Sequence, residues 1–138
     1  TLDLQLGERV IFIGRATRTE VAAEMKRAAA LVIPSVVAPD GDREGTPNVL
    51  AEAIACRVPV IAAALPGIAG YVDHSETGLL FEPGNVGALR AAITEAIEDP
   101  ALMESRAARA SERFAEELSL QGGARRYLRW YRELADND

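Results

Sequence analysis

Short apolar runs recur along this chain, with polar or helical stretches between them. The runs Val10–Ile13, Leu31–Ile33, Val58–Ala62 and Gly78–Phe81 are each three to five residues long. Runs of this length without regular polar alternation are typical of strands that a sheet buries on both faces. We therefore predict four strands.

The segments between and after these runs have apolar residues at helical spacing. Thr19 to Ala30 and Thr46 to Arg57 each predict a helix, with Thr19 and Thr46 as the N-caps. Three more helices are predicted after the last strand, the final one beginning after a break at Gly122–Gly123. Their apolar stripes are Val86, Leu89, Ile93 and Ala96 in the first, Met103, Ala107, Ala110 and Phe114 in the second, and Tyr127, Tyr131 and Leu134 in the third.

Strands that alternate with helices imply parallel pairing through βαβ crossovers. The predicted fold class is α/β: a Rossmann-like three-layer α/β/α arrangement around a mostly parallel sheet. The chain has 138 residues, which suits one domain. Four strands make a small sheet for this class, and Thr1–Arg9 has no strand pattern. We expect a single, N-terminally truncated domain over residues 1–138, with terminal helices at about 100–136.

Charge and composition exclude several classes of protein. The formal net charge of −6 argues against non-specific binding of nucleic acid, which needs a basic face. No apolar run approaches the roughly 20 residues of a membrane-spanning helix, and no signal peptide is visible. One cysteine, Cys56, excludes an intrachain disulfide and suits a reducing cytoplasm. We expect Cys56 to lie in the core and His74 to lie in a surface loop.

Four arginines cluster near the C-terminus, at positions 125, 126, 129 and 132. Charge runs of this kind usually form the solvated face of a helix. They could also dock on an acidic surface or on a further domain, and the sequence leaves both interpretations open.

The start of the second predicted helix has the features of an anion site. Pro47 suits the first helical position, and the N–H groups of Asn48 and Val49 point out of the helix start, where the macrodipole favours an anion. Gly45, beside the predicted cap Thr46, permits close approach of a ligand to the backbone. In an open α/β sheet this turn lies at the carboxyl edge of a strand, where ligands bind.

Two glutamates flank this turn. Glu44 precedes the predicted cap. Glu52 lies about six residues inside the helix from that cap, which is roughly 9 Å along the axis at the helical rise of about 1.5 Å per residue. Because the Glu52 helix is apolar on nearly every face, we expect its carboxylate to be buried with a partner. Both carboxylates could accept hydroxyl hydrogen bonds from one extended ligand. Alternatively, Glu44 is a surface residue and Glu52 pairs with a buried arginine.

Several motifs occur in an order that resembles the group 1 (family 4) retaining glycosyltransferases. They are Pro34-Ser35, Glu44-Gly45-x-Pro47, Glu52-Ala53 and Pro59-Val60, and the loop from Pro34 to Arg43 is similar to that of bacterial exopolysaccharide and colanic-acid-type transferases. The resemblance implies the C-terminal, donor-binding domain of a GT-B fold. It also implies transfer of a hexose, with retention, from a UDP- or GDP-linked donor to a glycan or lipid-linked acceptor.

The resemblance assigns roles to individual residues of the loop and helix. Glu44 would be the catalytic residue and would bind hydroxyl groups of the donor hexose. Gly45, Thr46 and Pro47 would line the sugar, and Glu52 would accept hydrogen bonds from the ribose hydroxyls.

The rest of the donor is assigned in the same way. Asn48 and Val49 would contact the diphosphate, while Gly14, Arg15 and Ala16, after the first apolar run, would border the base. The resemblance implies neither a metal nor another cofactor.

The same resemblance implies a second, N-terminal domain that binds the acceptor. Without it we expect this length of chain to be inactive in transfer. Because preceding strands of the sheet would also be missing, we expect the chain to self-associate through the side where they would lie. We expect the full enzyme to be cytoplasmic and leave open its peripheral association with the inner face of the cell membrane. A nucleotide-sugar epimerase-like domain and a non-enzymatic α/β assembly domain are the alternatives.

Overall fold

The computed structural model describes residues 9–41, 45–117 and 120–135. The strands are β1 (Leu31–Ile33), β2 (Val60–Ala63) and β3 (Leu79–Phe81). The helices are α1 (Arg18–Met25), α2 (Asn48–Ala55), α3 (Pro66–Ala69), α4 (Val86–Glu98), α5 (Pro100–Glu117) and α6 (Leu120–Ala135).

The three strands form one parallel sheet in the order β1-β2-β3. Leu31 is paired with Val60, and Ile61 with Leu79. Parallel neighbours need a crossover, and α2 supplies the one between β1 and β2. All four residues of the central strand β2 are buried, as expected for a strand covered on both faces. The predicted α/β class with a parallel sheet is confirmed.

The prediction of a buried strand at Val10–Ile13 is wrong. The exposed fractions of these four residues are 46%, 79%, 93% and 58%, and the segment contains no strand. A strand is stable only when its backbone groups pair with a neighbour, and in the described part of the chain β1 pairs only with β2. The apolar pattern predicts a strand-forming segment but carries no information about its partner.

Helices α2 and α5 pack against each other and close one side of the core. Helix α2 buries Leu50, Ala53 and Ile54. The predicted apolar stripe of α5 is confirmed, because Met103, Ala107, Ala110 and Phe114 are each at most 3% exposed. The Phe114 ring also lies 5.6 Å from the ring of Tyr71, measured between centroids.

Two predicted helix boundaries are corrected. Helix α1 is capped by Thr17 rather than Thr19, because Thr17 and Glu20 form a reciprocal capping box, and the helix ends at Met25. The predicted break at Gly122–Gly123 lies inside α6. Glycine costs a helix only about 1 kcal/mol relative to alanine, so a pair of glycines does not by itself end one.

Arginines of α5 hold the loop between α3 and β3. Their spacing places them on one side of the helix, facing that loop. The pairs are Arg106 Nε with the Ser75 carbonyl oxygen at 2.9 Å, Arg109 Nε with the Glu76 carbonyl oxygen at 2.8 Å, and Arg113 with the Asp73 carboxylate. Arg106 is buried and also donates to Glu95 Oε1 at 2.7 Å.

Another contact joins the same loop to β3. His74 is exposed, as predicted, and its Nδ1 accepts a hydrogen bond of 3.0 Å from the Leu80 N–H. Because Nδ1 is the acceptor, the proton of the neutral ring lies on Nε2. Across residues 9–41, 45–117 and 120–135, the helices are all too short or too polar to span a bilayer.

Candidate functional site

The loop that leads into α2 starts the helix one residue later than predicted. Pro47, with φ −66° and ψ 132°, is the N-cap, and the first helical residue is Asn48. Thr46 does not cap the helix, because its Oγ1 donates a hydrogen bond of 2.9 Å to the carbonyl oxygen of Gly67. The threonine hydroxyl was correctly placed in the turn, but its partner belongs to α3, far along the sequence.

The first turn of α2 still offers free donors at the carboxyl edge of the sheet. The Leu50 N–H donates to the Pro47 carbonyl oxygen at 3.0 Å. The N–H groups of Asn48 and Val49 come before it and have no acceptor within the helix. Asn48 is exposed and Val49 is half-buried. The backbone of this turn therefore leaves these two N–H groups without a partner inside the helix, and the anion site stays a prediction.

Glu52 is exposed, so the prediction of a buried, partnered carboxylate is wrong. Helix α2 rests on the sheet and on α5 through Leu50 and Ala53, which leaves another face open. Asn48 and Glu52 lie on that open face, one turn apart. Within the described residues the Glu52 carboxylate has neither a hydrogen bond nor an ion pair.

Cys56, predicted to lie in the core, is also exposed. It follows Glu52 by four residues and caps the C-terminal end of α2, so it continues the open face of the helix. The apolar composition of α2 thus led to the wrong prediction that every face of the helix is buried. The predicted catalytic residue, Glu44, lies outside the described residues.

A cavity of about 580 Å³ lies mainly between α1 and the start of β1, and Val49 in the first turn of α2 also lines it. Gly14 and Ala16 line it from one side and Val49 lines it from another, so three of the predicted site residues share one space. Its remaining walls are mainly apolar and include Leu31 and Val58. Arg15, between the two lining residues of the turn, is exposed and does not line the cavity.

The turn at Gly14–Ala16 has a defined backbone. Gly14 has φ +72°, in the left-handed region that glycine enters most readily. The turn then ends at the capping box of α1, where the Thr17 N–H donates to Glu20 Oε2 at 2.7 Å. This bond, together with the bond from the Thr17 hydroxyl, lowers the pKa of Glu20.

The contact between Thr46 and Gly67 was not predicted from the sequence. Pro66-Gly67 after a buried strand is a recognisable turn signal, but it does not reveal which loop the turn approaches. Among the described residues, no cluster of three or more His, Cys, Asp or Glu side chains is arranged to hold a metal ion.

Comparison with known proteins gives consistent matches. The family described as "Glycosyl transferases group 1" matches residues 1–113. The glycogen synthase of Mycobacterium tuberculosis is 32% identical over 110 residues, which are 80% of this chain and 25% of that protein.

Solved structures give the same result. Sucrose-phosphate synthase from Thermosynechococcus elongatus superposes with a TM-score of 0.77 at 32% identity, over 97% of this chain and 32% of that one. Anabaena HepE in complex with UDP-glucose superposes with a TM-score of 0.69 at 29% identity, over 79% of this chain and 28% of that one.

The chain thus spans about a quarter of the length of the curated relatives it matches. The family match covers β1 to β3, the start of α2 and most of α5. It therefore includes each residue of the predicted site, from Gly14 to Glu52. On this match and on the parallel α/β fold, the chain belongs to the group 1 glycosyltransferases.

Proposed function

We propose that this chain binds the nucleotide-sugar donor of a retaining hexosyltransferase. The donor is a UDP- or GDP-linked hexose, and the acceptor is a glycan or a lipid-linked saccharide. In the reaction the bond between the sugar and the diphosphate breaks, an acceptor hydroxyl oxygen forms the new glycosidic bond, and the nucleoside diphosphate leaves.

The observation that carries this proposal is the open first turn of α2. Its unsatisfied N–H groups at Asn48 and Val49 suit a diphosphate at the positive end of the helix dipole. Glu52 is exposed one turn further on, where it can accept hydroxyl hydrogen bonds. Hydrogen-bond donors for a phosphate and a hydrogen-bond acceptor for hydroxyl groups thus follow one another along one face of the helix.

The neighbouring cavity extends this surface towards Gly14 and Ala16. Apolar walls suit the faces of a nucleobase, because a base stacks on apolar surface while its polar edges contact backbone groups. We assign the base to this end, the diphosphate to Asn48 and Val49, and the ribose hydroxyls to Glu52. Gly45, Thr46 and Pro47 then line the hexose, and Glu44 binds its hydroxyls as the catalytic residue.

The binding of UDP-glucose by Anabaena HepE supports the class of ligand. The chain's own chemistry supports it as well, because the first turn of α2 supplies backbone donors and dipole charge for the diphosphate. These groups stabilise the negative charge that develops on the leaving nucleoside diphosphate. We expect them to do so without a bound metal.

Calorimetric titration of the chain with UDP, GDP, UMP, GMP and uridine tests the proposal. We expect saturable 1:1 binding of at least one nucleoside diphosphate. Its affinity should exceed that of the matching monophosphate by about tenfold or more, because charge-assisted bonds to the second phosphate contribute about 1.5–3 kcal/mol.

Two outcomes would contradict the proposal. Absence of binding by both diphosphates would favour a non-enzymatic assembly role for the domain. Equal affinity for UDP and uridine would place the ligand in the cavity alone and exclude the α2 terminus from the site.

A further inference from the structure

Gly67 makes an unusually close backbone approach to the loop before α2. A Cβ atom built on Gly67 would lie 2.4 Å from the Gly45 carbonyl oxygen, 2.5 Å from the Gly45 carbonyl carbon and 2.9 Å from the Thr46 nitrogen. Cβ atoms essentially never approach other heavy atoms this closely. The obstacles are backbone atoms, which cannot turn aside as a flexible side chain can. Only glycine fits at position 67.

A hydrogen bond fastens the same two segments together. Thr46 Oγ1 donates to the Gly67 carbonyl oxygen at 2.9 Å. The two segments follow neighbouring parallel strands, since the Gly67 turn comes after β2 and the Thr46 loop lies between β1 and α2. Both therefore lie at the carboxyl edge of the sheet, where the proposed donor site begins.

The two sides of this contact differ in burial. Leu65 is 2% exposed and Ile68 is fully buried, so the turn that carries Gly67 is fixed in the core. Gly45 and Thr46 are exposed, and Pro47, which follows them, is buried. The Gly67 turn therefore gives the exposed Gly45–Thr46 backbone a fixed surface to pack against.

We propose that Gly67 and Thr46 are positioning residues for the nucleotide-sugar site. Gly67 leaves room for the Gly45–Thr46 backbone, and the Thr46 hydroxyl holds that backbone against α3. Together they set the entry into Pro47 and hence the direction of the first N–H groups of α2. The inference rests on the proposed donor site, and it assigns to Gly67 a role that no ligand contact would reveal.

The size of the effect follows from the distances. Moving the Gly45 carbonyl oxygen from 2.4 Å to an ordinary contact of at least 3.4 Å from a Cβ at position 67 requires a shift of about 1 Å. A misplacement of about 1 Å in an active site can cost about a hundredfold in rate, and binding groups must be held within about 0.5 Å of their productive geometry. We therefore expect Gly67→Ala to weaken nucleoside diphosphate binding at least about tenfold.

Gly70, the C-cap of the same short helix, provides a matched control. It is exposed, has φ −74°, and a Cβ built there would come no closer than 3.9 Å, to the Pro66 carbonyl oxygen. Gly70→Ala thus changes the same atoms three residues away without displacing the loop. For Thr46 the control is Thr46→Ser, which keeps the hydroxyl, against Thr46→Val, which keeps the shape and removes the hydroxyl.

The experiment measures UDP and GDP affinity by calorimetry for the chain and these four variants. Hydrogen exchange at the backbone N–H groups of residues 45, 46 and 48–50 is measured on the same proteins without ligand. We expect weaker binding and faster exchange in Gly67→Ala and Thr46→Val. Gly70→Ala should stay within about twofold of the unsubstituted chain. Thr46→Ser, which keeps the hydroxyl, should recover most of the affinity that Thr46→Val loses. If Gly67→Ala does not fold, Thr46→Val with its serine rescue decides the outcome.

The outcomes separate this inference from the proposed function. Binding by the unsubstituted chain with undiminished affinity in both Gly67→Ala and Thr46→Val would overturn the positioning role and leave the donor site intact. A change in melting temperature without a change in affinity would mean that the contact only stabilises the fold. No binding by the unsubstituted chain would refute the proposed function. In that case, equal exchange at residues 45–50 in all five proteins would independently overturn the positioning role.

Discussion

Replacing Glu52 with glutamine tests the donor site while disturbing the fold very little. The side chain is exposed and has no ion pair within the described residues, so the substitution removes a charge without breaking an internal contact. Surface substitutions of this kind usually change the free energy of unfolding by less than about 0.5 kcal/mol. The exposure of Glu52, which the sequence did not predict, makes the experiment interpretable.

The expected loss of affinity follows from one hydrogen bond. A ribose hydroxyl that donates to a carboxylate contributes about 1.5–3 kcal/mol, and a neutral amide oxygen in its place contributes about 1 kcal/mol. The difference of about 0.5–2 kcal/mol corresponds to about two- to thirtyfold in the dissociation constant of the nucleoside diphosphate. The intact nucleotide-sugar should lose the same factor, because the ribose is common to both ligands.

Glu44→Gln should behave differently in an active form of the enzyme. Glu44 is assigned to the hexose, so this substitution should lower the rate of transfer and leave nucleoside diphosphate affinity nearly unchanged. Calorimetry with the diphosphate and steady-state kinetics with the donor separate the two effects. Glu98→Gln is the control, because Glu98 is an exposed glutamate at the end of α4.

Three results would refute this reasoning. Equal effects of Glu44→Gln and Glu52→Gln on diphosphate binding would refute the division of roles. Equal losses of diphosphate affinity in Glu52→Gln and Glu98→Gln would indicate a general effect of charge rather than the loss of a hydrogen bond. Unchanged affinity in Glu52→Gln would remove the ribose contact altogether.

Three further predictions concern the fold and its association. His74→Ala should lower the free energy of unfolding by about 1 kcal/mol in urea denaturation, because Nδ1 accepts a hydrogen bond from the Leu80 N–H. His74→Asn, which can place an oxygen near the position of Nδ1, should recover part of the lost stability. Equal stability of all three proteins would contradict this. Phe12 is 93% exposed within an apolar segment, so sedimentation should detect self-association that Phe12→Glu reduces; a monomeric chain across micromolar concentrations would argue against it. Hydrogen bonds from Thr17 lower the pKa of Glu20, so the capping box should stabilise the chain above the ordinary glutamate pKa and lose that contribution as the pH falls through the lowered value. In urea denaturation at roughly pH 3 to 5, the free energy of unfolding should fall more steeply with decreasing pH for the unsubstituted chain than for Glu20→Gln. Parallel curves for the two proteins would contradict this.

The elements that the sequence predicted well are those whose pattern is local and long. Helix α5 shows its buried stripe directly, because Met103 to Phe114 repeat at helical spacing over three turns. The strands β1, β2 and β3 were recognisable as apolar runs between polar turns, within two residues of their true bounds. The parallel arrangement followed from the helices between them.

The failures share a different cause, which is that each depended on a partner distant in sequence. Val10–Ile13 has the composition of a strand, but composition does not supply a neighbour to pair with. Thr46 has the side chain of an N-cap, but its hydroxyl bonds to Gly67, twenty-one residues away. Glu52 was expected to be buried because its helix is apolar, yet the sheet and α5 cover only part of that helix.

The backbone of the candidate site was therefore predictable from the sequence, whereas the contacts that hold this backbone in place were not. The turn before α2 and its free N–H groups follow from Gly45, Pro47 and the helix period. The contact that holds this turn requires knowing that β1 and β2 are neighbours and that their connections meet at one edge. No local pattern around Gly67 contains that information.

The arginines of α5 have a consequence for how the loop before β3 can evolve. Arg106 and Arg109 donate to main-chain carbonyl oxygens, which every residue type possesses. The helix that faces the loop thus fixes part of its course. The side chain at position 76 is free to vary as long as the backbone keeps that course, whereas Ser75, with φ +66°, is restricted to residue types that accept the left-handed region. Homologues should accordingly vary in residue type at position 76 while they retain Arg106 and Arg109. This loop is also a suitable position for attaching a spectroscopic reporter without altering the core.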